Sequence, residues 1–249
     1  IYGIVIAYTV IAFYCLYNLY SQRFISLQNQ KKQYFVEIIM FSLPLMPHMV
    51  GGLLLSMFDR LIIATKLDLD SVGIYFAALQ IVMVGKVFFD ALNKAFVPWL
   101  YEQLNRNCHK TNQKIVHGTY LWFALIWVGV SICFAYAPHI INLVLGGNFK
   151  SAWQLLGWLS VAIAFQEMYS MVANYCFYAK RTGYLSVISI TTGCVTLSLM
   201  VYFIDLYGLV GVAYATSLGM GLRFVSVWLL ANYYHRMPWL TALLTQRTK

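Results

Sequence analysis

The chain has 249 residues, 61% of them hydrophobic and only 10% charged, with a mean hydropathy of +0.69. A soluble domain carries about 25% charged residues, so composition excludes one and points to an all-α, polytopic membrane protein. The net charge of +9 lies between apolar runs and forms no single basic stripe, which excludes nucleic acid as the partner and fits the excess of Lys and Arg in cytoplasmic links.

About seven membrane-spanning segments are predicted. The first covers residues 1–20, and the chain opens directly in it at Ile1 with no signal peptide to read, as expected of a fragment or of the C-terminal part of a longer protein. A polar link with Arg23, Lys31 and Lys32 leads to the second, 36–65. Pro44 and Pro47 break this segment early, and Gly51-Gly52 loosens the next turn. A bent helix with Pro44, Pro47 and Gly52 as gating positions is one reading, with His48, Gly52 and Asp59 near one face. A kinked but rigid helix is the other.

The third segment, 72–101, follows a short acidic link and is the most informative. It is long enough to cross a hydrocarbon core of ~30 Å at ~1.5 Å per residue. Its second half nevertheless carries Lys86, Asp90 and Lys94 at i, i+4 and i+8, on one helix face. Such a stripe must turn to protein or to a water-filled cavity. It is read as lining a polar translocation path.

A polar piece, 102–114, reads as a soluble link. The fourth segment is 117–145, ending at Gly146-Gly147. The fifth, 152–179, ends at Lys180-Arg181. On it Glu167, Ser170, Asn174 and Tyr178 share a face flanked by Tyr169 and Tyr175, which suits either a sugar-binding wall or hydrogen bonding between helices. The sixth is 183–206 and the seventh 208–235, where Gly211, Ala215 and Gly219 form a packing stripe. A basic tail, 236–249, follows. The links after segments one, three, five and seven hold eleven Lys and Arg residues, whereas those after two, four and six hold only Lys66 and Lys150, so the first set is expected to be cytoplasmic.

Seven charged groups fall well inside the spans, away from their ends: Asp59, Arg60, Lys86, Asp90, Lys94, Glu167 and Arg223. They can pair and lock helices together, or serve transport. Four bases against three acids leave a cationic surplus that an anionic ligand would match. Lys86, Lys94, Arg223, Arg60, Asn174 and Tyr175 are therefore the candidate substrate-binding residues, and Asp90 and Glu167 the candidate coupling residues for H⁺ or Na⁺. No hydrolytic, metal or nucleotide-binding signature occurs, and the five widely spaced cysteines form no CxxC. No enzyme activity, cofactor or metal is expected.

The runs LPLMPH (43–48), FDRLII (58–63), VGIYFAALQ (72–80), FFDALNKAFVPWLYE (88–102), NYCFYAKRTG (174–183) and GLVGVAYATSLG (208–219) resemble the bacterial polysaccharide flippases of O-antigen and capsule pathways, within the multidrug/oligosaccharidyl-lipid/polysaccharide exporter superfamily. The resemblance implies two six-helix lobes. Residues 1–20 would be the last helix of the N-terminal lobe, 21–35 a cytoplasmic link, and 36–235 the C-terminal lobe. It also implies an inner-membrane location and flipping of an undecaprenyl-pyrophosphate-linked oligosaccharide by alternating access. The partners would be that lipid-linked substrate, membrane lipid, the missing N-terminal lobe and a polysaccharide polymerase. A drug/cation antiporter of the same superfamily, a membrane enzyme of polyprenyl-linked sugar assembly and a pure membrane scaffold stand as alternatives.

Overall fold

A computed structural model describes residues 2–22, 32–43, 46–106, 109–146, 152–180 and 182–239. Among them the chain is α-helical throughout, with no strand. It divides into two compact units, Ile1–Ser42 and Leu43–Lys249.

The first unit holds α1 (Tyr2–Ser21) and α2 (Lys32–Ser42). The second holds α3 (Met46–Lys66), α4 (Leu69–Arg106), α5 (His109–Val144), α6 (Trp153–Tyr178), α7 (Thr182–Tyr207) and α8 (Leu209–Tyr234). The expected second segment, 36–65, is thus two helices. A residue before proline is pushed out of the α region, and α2 stops at Ser42, just short of the Leu43-Pro44 pair. Pro44 itself lies outside the described residues. Pro47 sits in the first turn of α3, where its missing N–H would have no partner anyway.

Five helices, α4 to α8, are long and apolar enough to cross a membrane; the described apolar part of α1, Val5–Ser21, is shorter. The polar piece 102–114 is largely helical rather than a loop. Helix α4 continues to Arg106, with an i, i+4 ion pair of 2.6 Å between Arg106 and Glu102, and α5 begins at His109. Asp68 caps α4: its carboxylate accepts the Ser71 amide at 2.6 Å, a bond that holds the carboxyl below the usual range. Between α7 and α8 the chain reverses at Gly208, whose φ of +60° suits glycine.

Helix α6 is the centre of the second unit, with 72% of its most apolar window buried against 17% for α4. It packs on α4, α5 and α8; α8 packs in turn on α7, and α3 lies on α7. The stripe Gly211, Ala215, Gly219 is buried, as its spacing predicts. A Cβ at Gly211 would meet the Phe203 carbonyl of α7, and one at Gly219 would meet Thr196.

Two hydrophobic clusters form, one towards each end of the bundle. One gathers Leu100, Ile115, Phe123, Tyr175, Phe224 and Trp239; the other gathers Ile63, Tyr75, Leu155, Leu159, Met200 and Val212. Along α4 the buried residues stop at Val82 and resume at Leu100, so Lys86, Asp90 and Lys94 fall in the gap. Serine and threonine hydroxyls inside α7 return to their own helix, as Ser189 does to the Leu185 carbonyl at 2.7 Å and Thr196 to that of Thr192 at 2.7 Å. In hydrocarbon such a hydroxyl has no water to turn to.

Candidate functional site

The charged stripe of α4 meets α6 at mid-helix. Lys86 Nζ lies 2.6 Å from Asp90 Oδ2 and 3.5 Å from Glu167 Oε1. The first contact is a hydrogen bond; the second is an ion pair without one, and Glu167 Oε1 has no hydrogen-bond partner. The Lys86 side chain is 26% exposed, Asp90 35% and Glu167 1%. One ammonium thus serves two carboxylates, bonded to the more open acid and within reach of the buried one. Burial of an acid at this depth is costly without a cation beside it.

Seven residues further along both helices, Asn174 donates to Asn93 Oδ1 at 3.0 Å. Lower still, the Tyr178 hydroxyl donates to Asn105 at 2.7 Å. Positions 86 and 93 therefore answer 167 and 174, and α4 and α6 run parallel with polar rungs one heptad apart. Glu167 also borders a cavity of about 120 Å³ between α4, α5 and α6. Its walls are apolar except near Ser160 and Cys133, and it has room for water beside the carboxylate.

The remaining candidate residues lie apart from this cluster. Arg60 stacks over the Phe76 ring, 3.9 Å from its centroid, beside a cavity of about 240 Å³ bordered by Asp59, Tyr75 and Gln80. Asp59 of α3 and the fully buried Tyr75 of α4 border this cavity together. Arg223 is buried, lies 4.4 Å from the centroid of the Tyr169 ring and donates to Ser189 Oγ at 3.1 Å. Lys94 is exposed one turn beyond Asp90. Tyr175 turns to the core near the end of α8, stacked on His235 at 6.2 Å and edge-on to Trp239 at 6.0 Å. Gly52 is an exposed position within α3.

The arrangement thus joins Lys86, Asp90, Glu167 and Asn174, and adds Asn93. The signal for Asn93 was its seven-residue offset from Lys86, which repeats the offset of Asn174 from Glu167. The structure gathers one base and two acids here, so the cationic surplus counted along the sequence does not collect at this point. Chemically the cluster can trade a proton or a small cation between two carboxylates, with Lys86 as the counter-charge.

Residues 1–103 match the family described as polysaccharide biosynthesis protein. The chain is 26% identical over 207 residues to a Haemophilus influenzae protein named for the Lsg locus, a match covering 80% of this chain and 49% of that protein. It is 27% identical over 212 residues to an uncharacterized membrane protein of the same strain, covering 77% of this chain and 48% of the relative. The chain therefore spans about half the length of the curated relatives it matches. No solved structure gives a significant match. These similarities, at modest identity, support a polysaccharide biosynthesis family of membrane proteins, in agreement with the resemblance carried by the sequence runs.

Proposed function

We propose, starting from a multi-pass membrane protein of the polysaccharide biosynthesis type, that this chain forms one lobe of a transporter that flips a lipid-linked oligosaccharide across the bacterial inner membrane. Alternating access needs no covalent chemistry. It needs a polar path, a movable element and a coupling group. The observation that carries this reading is the Lys86–Asp90–Glu167 cluster, placed at mid-length on helices otherwise apolar enough to span a bilayer. Intramembrane charge of this kind is a functional-site hypothesis by default.

In this reading Asp90 and Glu167 exchange H⁺ or Na⁺, and Lys86 shifts between them as one or the other is neutralised. The pyrophosphate meets the exposed cations, Lys94 on α4 and Arg60 on α3. Basic links put the end of α4, the start of α5 and the end of α6 on the cytoplasmic side. The N-terminal lobe is a separate partner supplied by the longer protein, and a polysaccharide polymerase takes the product. A second reading, cation-coupled drug export by the same superfamily, gains from the same cluster, because two acids around one base suit a cation better than an anion.

The deciding experiment uses the full-length protein in a strain lacking its own flippase, with Lys86→Ala/Asp90→Ala assayed for membrane abundance and surface polysaccharide. Normal abundance without polysaccharide supports the transport role of the pair. Normal abundance with normal polysaccharide would sink it. Drug resistance conferred without any effect on polysaccharide would favour the second reading.

A further inference from the structure

A cavity of about 390 Å³ opens among α5, α6, α7 and α8, at the end of the bundle where α6 begins and α7 ends. It shares no residue with the cavity beside Glu167, although both draw on α5 and α6. Its volume lies within the range of small-molecule sites, about 300–1,000 Å³.

The walls are aromatic. Trp158 meets Tyr214 edge-on at 4.8 Å and Phe134 edge-on at 5.7 Å, and Tyr207 meets Tyr214 at 5.7 Å. These contacts hold the rings in fixed orientations, as edge-to-face pairs do. The backbone of Trp158 is itself tied to α8, since Ser217 Oγ donates to its carbonyl at 2.7 Å. Gly157 makes the floor possible: a Cβ there would strike the Phe134 ring. Yet the rings are not sealed in, because Phe134 is 46% exposed, Trp153 45% and Tyr207 57%.

Among the described residues no charged side chain lines the pocket, so none of them would hold an anion or a metal ion there. The Gln154 amide and the tyrosine hydroxyls argue against an acyl chain, which would cover polar groups without bonding them. Flat aromatic faces beside amide and hydroxyl groups match a sugar ring, which offers C–H bonds on one face and hydroxyls around its edge. We propose that this pocket binds an uncharged pyranose of a glycan, whether free or lipid-linked, at a site separate from the charged cluster. The choice of a glycan over other neutral molecules rests on the polysaccharide reading above.

The test is ligand-detected NMR on the full-length protein in nanodiscs, with a neutral maltooligosaccharide, a neutral chitooligosaccharide and a uronic-acid oligosaccharide as probes. A parallel arm measures quenching of tryptophan fluorescence by brominated phospholipid. The expected result is saturation of the pyranose C–H protons of at least one neutral probe, with affinity about five-fold weaker in Trp153→Ala and in Tyr207→Ala, from the loss of one stacking face. Gly157→Ala, which displaces Phe134, should weaken binding as well, and Trp153→Phe should retain most of it. Thermal melting verifies that each variant is folded, and the exposed Trp153 and Tyr207 are the substitutions least able to disturb the core. Saturation of no neutral probe, saturation unchanged in all three weakening variants, or a component of the brominated-lipid quenching that is lost in Trp153→Ala, would overturn the proposal. Sugar binding lost in Trp153→Ala by a protein that flips nothing would retain the pocket and reject the transporter. Flipping without any sugar signal would do the reverse.

Discussion

Lys86 holds two acids with one charge, and the asymmetry of its contacts sets what its removal does. Lys86→Met would leave Glu167, 1% exposed, without a cation. The expected loss of stability is about 3 kcal/mol, the low end for a broken buried pair, because Lys86 itself keeps some solvent contact. Adding Glu167→Gln should recover most of that loss while transport stays absent. Melting of the two variants in detergent provides the measurement, and an equal loss in both would mean that Lys86 stabilises something other than Glu167. Near the C-terminal end of α6, Tyr175 stacks on His235, the residue that follows α8, and burial pushes that imidazole below the ordinary value. Its folded form is therefore the poorer proton binder. Stability should be unaffected well above about pH 6.5 and fall as pH drops through that value, because the unfolded chain takes up the proton first. His235→Phe keeps the stack and should flatten the loss between pH 7.5 and 5; an unchanged slope would assign the acid sensitivity elsewhere.

At the scale of elements, the pair α4 and α6 is where sequence and structure diverge most usefully. The i, i+4 spacing of Lys86 and Asp90 gives their bond directly, since only one helix is involved. Glu167 is visible as an acid in an apolar segment, but its partner depends on which helix lies beside α6, and periodicity does not say. Asn93 carries no charge to mark it beside Lys94, and only its seven-residue offset from Lys86, matched by that of Asn174 from Glu167, distinguishes it. Polarity alone does not end a helix in the 102–114 stretch: Glu102 and Arg106 sit one helical turn apart and continue α4. The aromatic pocket could not be read at all, for its walls come from four helices. The Asn93–Asn174 bond carries a prediction of its own. A double-mutant cycle with Asn93→Val and Asn174→Val should give a coupling energy of about 0.6–1.7 kcal/mol. A value near zero would mean that the two amides find other partners in the bilayer.

For the whole molecule, the helix limits sharpen the orientation test. Lys66 at the end of α3 bonds Asp205 near the end of α7 at 2.9 Å, so one of the few basic residues assigned to the outer side is neutralised there. The eleven-to-two asymmetry of Lys and Arg is unaltered by this pair, because acids contribute little to that bias. On a cysteine-free background, a cysteine at Asp70 should react with an impermeant thiol reagent in intact cells and one at Lys180 should not. Labelling of Lys180→Cys from outside would invert the orientation and carry the aromatic pocket to the cytoplasmic face.

The heptad offset between α4 and α6 also limits how this bundle can move. If α4 slid by about one turn, Glu167 would face either Asp90, a like charge, or Val82, which cannot bond it. Asn174 would face Val97 or Phe89 in the same displacement. The next register that matches spacing lies seven residues away, ~10.5 Å along the axis. Helix α4 is thus barred from working as a piston against α6. It remains free to pivot about the rungs, swinging one end while the middle stays pinned, as a rocker does on its fulcrum.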